Sequence, residues 1–240
     1  MIRVAADLHV HTCLSPCAER LMRPRAIVTA ALARGIGMIG VCDHNSAGNV
    51  RAVAAAAAGL LRVIPGMEIT TSEEAHVVGL FPSADAAEAA AREVAAGLPP
   101  SRMDVEQELV DADGATLRVE PLMLSTASTF SLEATVDLVH RHGGVAIAAH
   151  VDRRSFSVPS QLGFIPPGTD FQALEISAHG ARIGRTASFT GLGYALTTAS
   201  DAHAPELVGD AFVLLEVEAP DFRELSLALA GADGRGCAIA

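Results

Sequence analysis

Two histidines one residue apart, His9 and His11, stand in the stretch DLHVHTCLSPC at residues 7–17, with Asp7 before them and Cys13 and Cys17 after. Further donors recur down the chain: Asp43 and His44 in VCDH, Glu68 in PGMEIT, His76, His150 in AAH, and Asp201 and His203 in SDAH. Imidazole with carboxylate suits Zn²⁺, Mn²⁺ or Fe²⁺. The set exceeds the roughly four ligands that one zinc ion takes, and a carboxylate can bridge two ions, so it predicts a cluster of two or three divalent ions. A water shared by such ions loses its proton near neutral pH and becomes a nucleophile. A single histidine at a strand end is ordinarily a hydrogen-bonded residue; the signal lies in the ordered series.

Not every candidate belongs to that series. His140 and His142 fall near the C-terminus of a predicted helix, where cations are favoured, and read as structural. Glu175 and His179 sit at another strand end, and alternation allows Glu175 to point either way. Cys13 and Cys42 flank donors but read as small packed residues. Asp43 reads as a carboxylate that orients His44 or a bound water. Arg153 and Arg154, directly after His150, suit bidentate phosphate contact.

For these groups to meet, strand ends must converge. Apolar runs predict strands at 4–10, 37–44, 61–70, 76–82, 145–150, 171–177, 194–201 and 211–218. Helices are predicted at 24–35, 46–59, 84–97, 131–144 and 221–231, with Pro24 in a first turn, Gly35 as a stop, and Ser46 and Ser131 as N-caps. This alternation of buried strands and helices predicts an α/β fold with a parallel sheet, closed as a (β/α) barrel of about seven units. The C-terminal strand ends of such a barrel share one mouth, and residues i and i+2 of a strand point the same way. Residues 99–130 interrupt the rhythm, and ELVDADGATLRV within them predicts an inserted hairpin in an otherwise single domain over 1–240. The stretch 151–170 reads as a long functional loop.

Composition excludes several classes. The formal charge is −11, and all 17 basic residues are arginine, so no Schiff-base or P-loop lysine is available. An acidic chain is a poor stable partner for long nucleic acid, although bound metal could supply charge for a small phosphorylated substrate. Four cysteines are too few for a disulfide scaffold in 240 residues. No apolar run is long enough for a membrane span, and the N-terminus lacks a signal-peptide core, which predicts a cytoplasmic protein.

The motifs DLHVHT (7–12), VCDHN (41–45), PGMEIT (65–70), AAH (148–150) and SDAH (200–203) resemble, in order, those of the polymerase and histidinol phosphatase (PHP) family. The resemblance implies a distorted barrel of about seven strands with a trinuclear metal cluster at its C-terminal mouth. It implies that His9, His11, Glu68 and Asp201 hold one ion. Glu68 would bridge to a second held by His76 and His150, while His44 and His203 hold a third. Many members supply another histidine to the third site at the position occupied here by Cys17, whose thiolate would suit zinc or ferrous iron.

Most characterised members hydrolyse phosphate esters, so the expected activity is metal-dependent hydrolysis of a small phosphomonoester or nucleotide by a metal-held hydroxide. Glu68, Asp201 and Asp43 are the catalytic candidates, and Arg153 and Arg154 the substrate-binding ones. A metal-stabilised binding module without turnover, or a hydrolase of a non-phosphate substrate, would carry the same ligands.

Overall fold

The computed structural model describes residues 1–101 and 106–240. Its strands are β1 (Ile2–Val10), β2 (Met38–Val41), β3 (Arg62–Thr70), β4 (His76–Leu80), β5 (Glu108–Val110), β6 (Thr116–Val119), β7 (Val145–Ala148), β8 (Ala173–Ser177), β9 (Ala195–Ala199), β10 (Val213–Val217) and β11 (Gly236–Ile239). Its helices are α1 (Pro24–Ala33), α2 (Val50–Ala57), α3 (Ala84–Ala95), α4 (Leu132–Arg141), α5 (Val158–Leu162), α6 (Ala178–Arg182) and α7 (Phe222–Ala230).

One sheet runs β11-β10-β1-β2-β3-β4-β7-β8-β9, and β5 pairs with β6 apart from it. The run β1-β2-β3-β4-β7-β8-β9 curls into a nearly closed barrel. Closure at one end is a parallel bridge between Val10 and Ala202, where His11 N donates to Ala202 O at 3.1 Å. At the other end β10 lies antiparallel along Ile2–Ala6 of β1.

The sheet departs from the parallel expectation. β4 is antiparallel to both β3 and β7, and β10 and β11 are antiparallel additions. The reason for β4 is length: residues 71–75 are too few for the crossover of about a dozen residues that a parallel neighbour needs. Reversal puts the first residue of β4, His76, at the mouth where the other strands end.

The registers place Gly40, Ile64, Gly66, Glu68, His76, Val78, Leu80, Ile147, Ala173 and Glu175 on one face. The apolar members of that face pack together with Ala6, Leu8 and Met38 as one buried cluster, the barrel interior. A second cluster, containing Val10, Ile39, Val41, Met67 and Ile69, packs the outer face against the helices. The interior face is thus apolar low in the barrel and polar at its mouth. In β1 the parity changes: Leu8 packs inside and Val10 outside, with a register shift between Asp7 and Val10. Such a bulge re-aims side chains, here turning His9 and His11 inward.

Gly40 marks the tightest approach of β1 and β2. A Cβ there would lie 2.3 Å from the Leu8 carbonyl oxygen, a backbone atom that cannot rotate aside. Gly40→Ala is expected to cost about 3 kcal/mol and lower Tm by roughly 10 °C, as read by calorimetry.

Ser131 caps α4 by accepting from Ala134 N, and Pro24 opens α1. Ser46 does not cap α2. That helix starts at Val50, and Ser46 Oγ accepts from Gly48 N within the preceding turn. The stretch 151–170 is not all loop, since it contains α5 behind a Ser157–Ser160 capping box. The strand β11 and helix α6 were not predicted. Of the segment 99–130, residues 102–105 lie outside the described residues. The hairpin β5–β6 docks through buried Asn49, which donates to Glu108 O (2.9 Å) and Thr12 Oγ1 (2.9 Å) and accepts from Val110 N (3.0 Å). No helix among the described residues is long and apolar enough to cross a membrane.

Candidate metal centre

Glu68 is buried at the end of the interior face of β3, and imidazoles surround it. Its Oε1 lies 2.8 Å from His76 Nδ1, 3.1 Å from His150 Nε2 and 3.5 Å from His9 Nε2. Its Oε2 lies 3.0 Å from His44 Nδ1 and 3.5 Å from His11 Nε2. Burial would raise the Glu68 pKa, but the charges on His76, His9 and His44 hold it well below the usual carboxylate range.

Asp201 enters from the other side of the barrel seam. Its Oδ1 is 3.1 Å from His11 Nε2 and 3.5 Å from His9 Nε2. Strand geometry does not persist to this point: β9 ends at Ala199, and Asp201 has φ +51°. Buried Asp7 pins the kink by accepting from Ser200 N (3.0 Å), Ser200 Oγ (2.5 Å) and Gly209 N (2.8 Å). His150 likewise has φ +30°. Two donors in a sparsely populated backbone region fit a site whose geometry the surrounding structure enforces.

The hydrogen-bond network sets the ring tautomers. His9 Nδ1 faces Glu175, 3.2 and 3.1 Å from its two oxygens, and so donates to it. Ser15 Oγ donates its one proton to Asp43 (2.6 Å) and therefore accepts from His11 Nδ1 (2.8 Å). His203 Nδ1 donates to the Asp201 carbonyl at 2.8 Å. In the neutral rings of His9 and His11, each Nε2 then presents a lone pair. Those of His9 and His11 face each other at 3.1 Å. The Nε2 atoms of His44 and His203 lie 3.2 and 3.1 Å from Cys17 Sγ. Burial raises the Cys17 pKa, but hydrogen bonds from His203 and His44 outweigh it and bring it down to about 7.

These groups fit cations. His150 Nδ1 is buried without a hydrogen-bond partner, and buried Asp201 Oδ1 and His44 Nδ1 meet only other atoms of the cluster, His11 Nε2 at 3.1 Å and Glu68 Oε2 at 3.0 Å, without hydrogen-bond geometry. Converging lone pairs and orphaned oxygen are unfavourable by themselves and become favourable around a positive ion. Three triads bring donor atoms within 4.8 Å of one another: His9–His11–Asp201, His44–Glu68–His76 and His11–His44–His203.

Among the remaining sequence candidates, Asp43 turns both oxygens to Thr12 and Ser15, and Ser15 Oγ in turn meets His11 Nδ1 (2.8 Å) and accepts from His44 N (3.2 Å). Arg153 is ion-paired with Asp201, Nη1 to Oδ2 at 2.7 Å, and Arg154 is exposed beside it. His140 and His142 lie elsewhere, on Gln172 and Glu93. Ser15 and Asp7 were given no role from sequence; their contacts join segments remote in sequence or lie behind a ligand.

No protein-family model matches the chain, and no curated protein sequence does. Solved structures do. Endonuclease Q from Pyrococcus furiosus, a lesion-specific endonuclease, superposes with a TM-score of 0.71 at 17% identity. The match covers 98% of this chain but 58% of that one, so the chain spans little more than half the length of Endonuclease Q. A candidate metal-dependent phosphoesterase from Bifidobacterium adolescentis matches with a TM-score of 0.57 at 18% identity, over 84% of this chain and 88% of that one. An amidohydrolase from Chromobacterium violaceum gives 0.57 at 22%, over 85% and 89%. The shared feature is the fold, an α/β barrel also used by metal-dependent hydrolases.

Proposed function

We propose that the chain is a metal-dependent phosphoesterase of the PHP type, a single barrel domain over 1–240 with an insertion at about 99–130. The observation that carries this reading is the meeting of Glu68, Asp201 and six imidazoles at one mouth, with the His9 and His11 Nε2 atoms 3.1 Å apart beside an unpartnered carboxylate oxygen. His9, His11, Glu68 and Asp201 would hold one ion, Glu68, His76 and His150 a second, and His44, His203 and Cys17 a third. Bound there, Zn²⁺, Mn²⁺ or Fe²⁺ would supply a nucleophile from water at neutral pH and positive charge for a reacting phosphate.

The chain's own groups do the rest. Glu68 and Asp201 bring negative charge to the centre. Glu175 and the Asp43–Ser15 pair hold the His9 and His11 rings in place. Arg153 and Arg154 contact phosphate oxygens at the rim, as guanidinium groups do in bidentate fashion. The substrate is a small phosphomonoester or nucleotide.

The test is a panel of phosphomonoesters, nucleotides, amides and a lesion-bearing duplex, assayed with added Mn²⁺ or Zn²⁺. Phosphate release that chelation and His9→Ala both abolish supports the reading. Amide cleavage alone would make the protein a different hydrolase, and metal binding with no turnover would make it a binding module.

Cys17 allows a narrower check. Cys17→Ser is expected to lose about one equivalent of zinc while retaining the others, because a hydroxyl is a poor substitute for a thiolate on a soft ion. Metal analysis reads this, and an unchanged zinc content removes Cys17 from the ligand set.

A further inference from the structure

Three of the rings at the mouth are held from behind by an acceptor. His9 Nδ1 faces Glu175, His11 Nδ1 faces Ser15 Oγ, and His203 Nδ1 faces the Asp201 carbonyl. His76 is held differently. Its Nδ1 points at Glu68 Oε1 (2.8 Å), and no hydrogen bond among the described residues reaches its Nε2. What meets this ring is Phe156. The two ring centroids lie 4.9 Å apart and their planes differ by 20°, a stacked arrangement at a spacing favourable for aromatic pairs.

The main chain of Phe156 clasps the same residue. Its carbonyl accepts from His76 N at 2.8 Å, while the His76 carbonyl accepts from Ala149 N at 3.1 Å. The segment 149–156 thus brackets the first residue of β4 and returns a phenyl ring onto its imidazole. That return is strained. Phe156 has φ +56°, a left-handed conformation that bulky side chains rarely adopt and that glycine would take freely. Its neighbour Ser157 caps α5 and donates from Oγ to the Arg153 carbonyl at 2.8 Å, so the surrounding chain keeps the strained residue in place. The ring is also 43% exposed, so core burial does not account for it. A strained, half-exposed aromatic ring laid on a buried candidate ligand fits a role at the site.

We propose that Phe156 is a positioning residue for His76: its ring fixes the plane of the imidazole that would hold the second ion, where other rings use a hydrogen bond. This rests on the metal-centre reading under the proposed phosphoesterase. An imidazole ordered in advance gives up less freedom when an ion binds, and that difference appears as metal affinity. Phe156 itself offers no donor atom and takes no part in the chemistry.

The experiment compares wild-type protein with Phe156→Tyr, Phe156→Leu and Phe156→Gly. Competition with a chromophoric chelator reads Zn²⁺ affinity, and kcat and KM on a phosphomonoester are measured at limiting and saturating Zn²⁺. Phe156→Tyr keeps the ring face and should bind within about twofold of wild type. Phe156→Leu keeps apolar bulk without a ring plane, and Phe156→Gly removes both ring and strain. In these two the ion held by His76 should bind about tenfold more weakly, as when a group that orients a ligand is lost. Their kcat should fall at limiting Zn²⁺ with KM unchanged, and recover when Zn²⁺ saturates. A Tm of Phe156→Gly at or above the wild-type value shows that folding is not the cause. Should its Tm fall, Phe156→Tyr and Phe156→Leu decide between themselves, since both keep the same backbone conformation. Equal affinity in all four proteins, or a loss in Phe156→Leu that Phe156→Tyr shares, overturns the positioning role. Affinities that differ as expected, with no phosphate released from any ester, defeat the phosphoesterase reading and leave the role of Phe156 standing. A wild-type protein that binds no ion defeats the metal-centre reading, and the positioning role with it.

Discussion

Glu68→Gln is expected to reduce metal-dependent phosphate release by well over about 100-fold and to lower metal content with it. Replacing groups that merely orient a metal ligand costs roughly 10–100-fold in affinity or activity. Glu68 stands closer than such groups, because its two oxygens lie within 3.5 Å of ring nitrogens from His9, His11, His44, His76 and His150. Glutamine keeps the shape and one carbonyl oxygen but presents an amide group and no charge to rings that need an anion among them. Metal analysis and phosphate release on the same samples check the result. Full metal occupancy with activity within about threefold of wild type would remove Glu68 from the centre.

Glu175→Ala is the second large effect expected. Glu175 accepts from His9 Nδ1 and from His150 N (3.2 Å), so one side chain fixes a ring and the strained backbone of another donor. Its loss frees the His9 ring to rotate or change tautomer, and metal affinity should fall about 10–100-fold. Glu175→Gln retains an oxygen acceptor and should lose distinctly less. Competition titration with a chromophoric chelator measures both variants. Equal effects of Ala and Gln would contradict the orienting role.

Much of this centre was legible before any fold was known. Glu68, His150 and the His9–His11 pair sit where apolar runs end, and the two-residue period of β3 sends Glu68 toward the face that its buried neighbours Ile64 and Gly66 occupy. The barrel followed from the alternation of strands and helices. Other features depend on contacts that spacing does not encode. The inward turn of His9 and His11 needs the β1 bulge, which no Gly or Pro announces. Asp201 reaches the centre through a left-handed residue held by Asp7, whose partners Ser200 and Gly209 come some two hundred residues later. The reversed β4 was readable from the brevity of residues 71–75, but the parallel pattern of the neighbouring strands masked it. Glu175 was ambiguous because its direction depends on how β8 pairs with β7 and β9, where Ala148 faces Leu174 and Thr197 faces Glu175, and those registers are properties of the assembled sheet.

The place of β1 has a consequence for biosynthesis. Its early residues pair with β10, and Arg3 meets Glu216 across a separation of 213 residues. A ribosome delivers the His9–His11 pair long before it delivers Asp201, His203 or the strand that shields their flank. Ions captured by the nascent segment would meet a fraction of the donors, so full affinity arrives only after synthesis has passed the last of them. Loading would therefore be a late event, and the emerging chain must find its long-range pairing before all the donors are present, a slow route by topology.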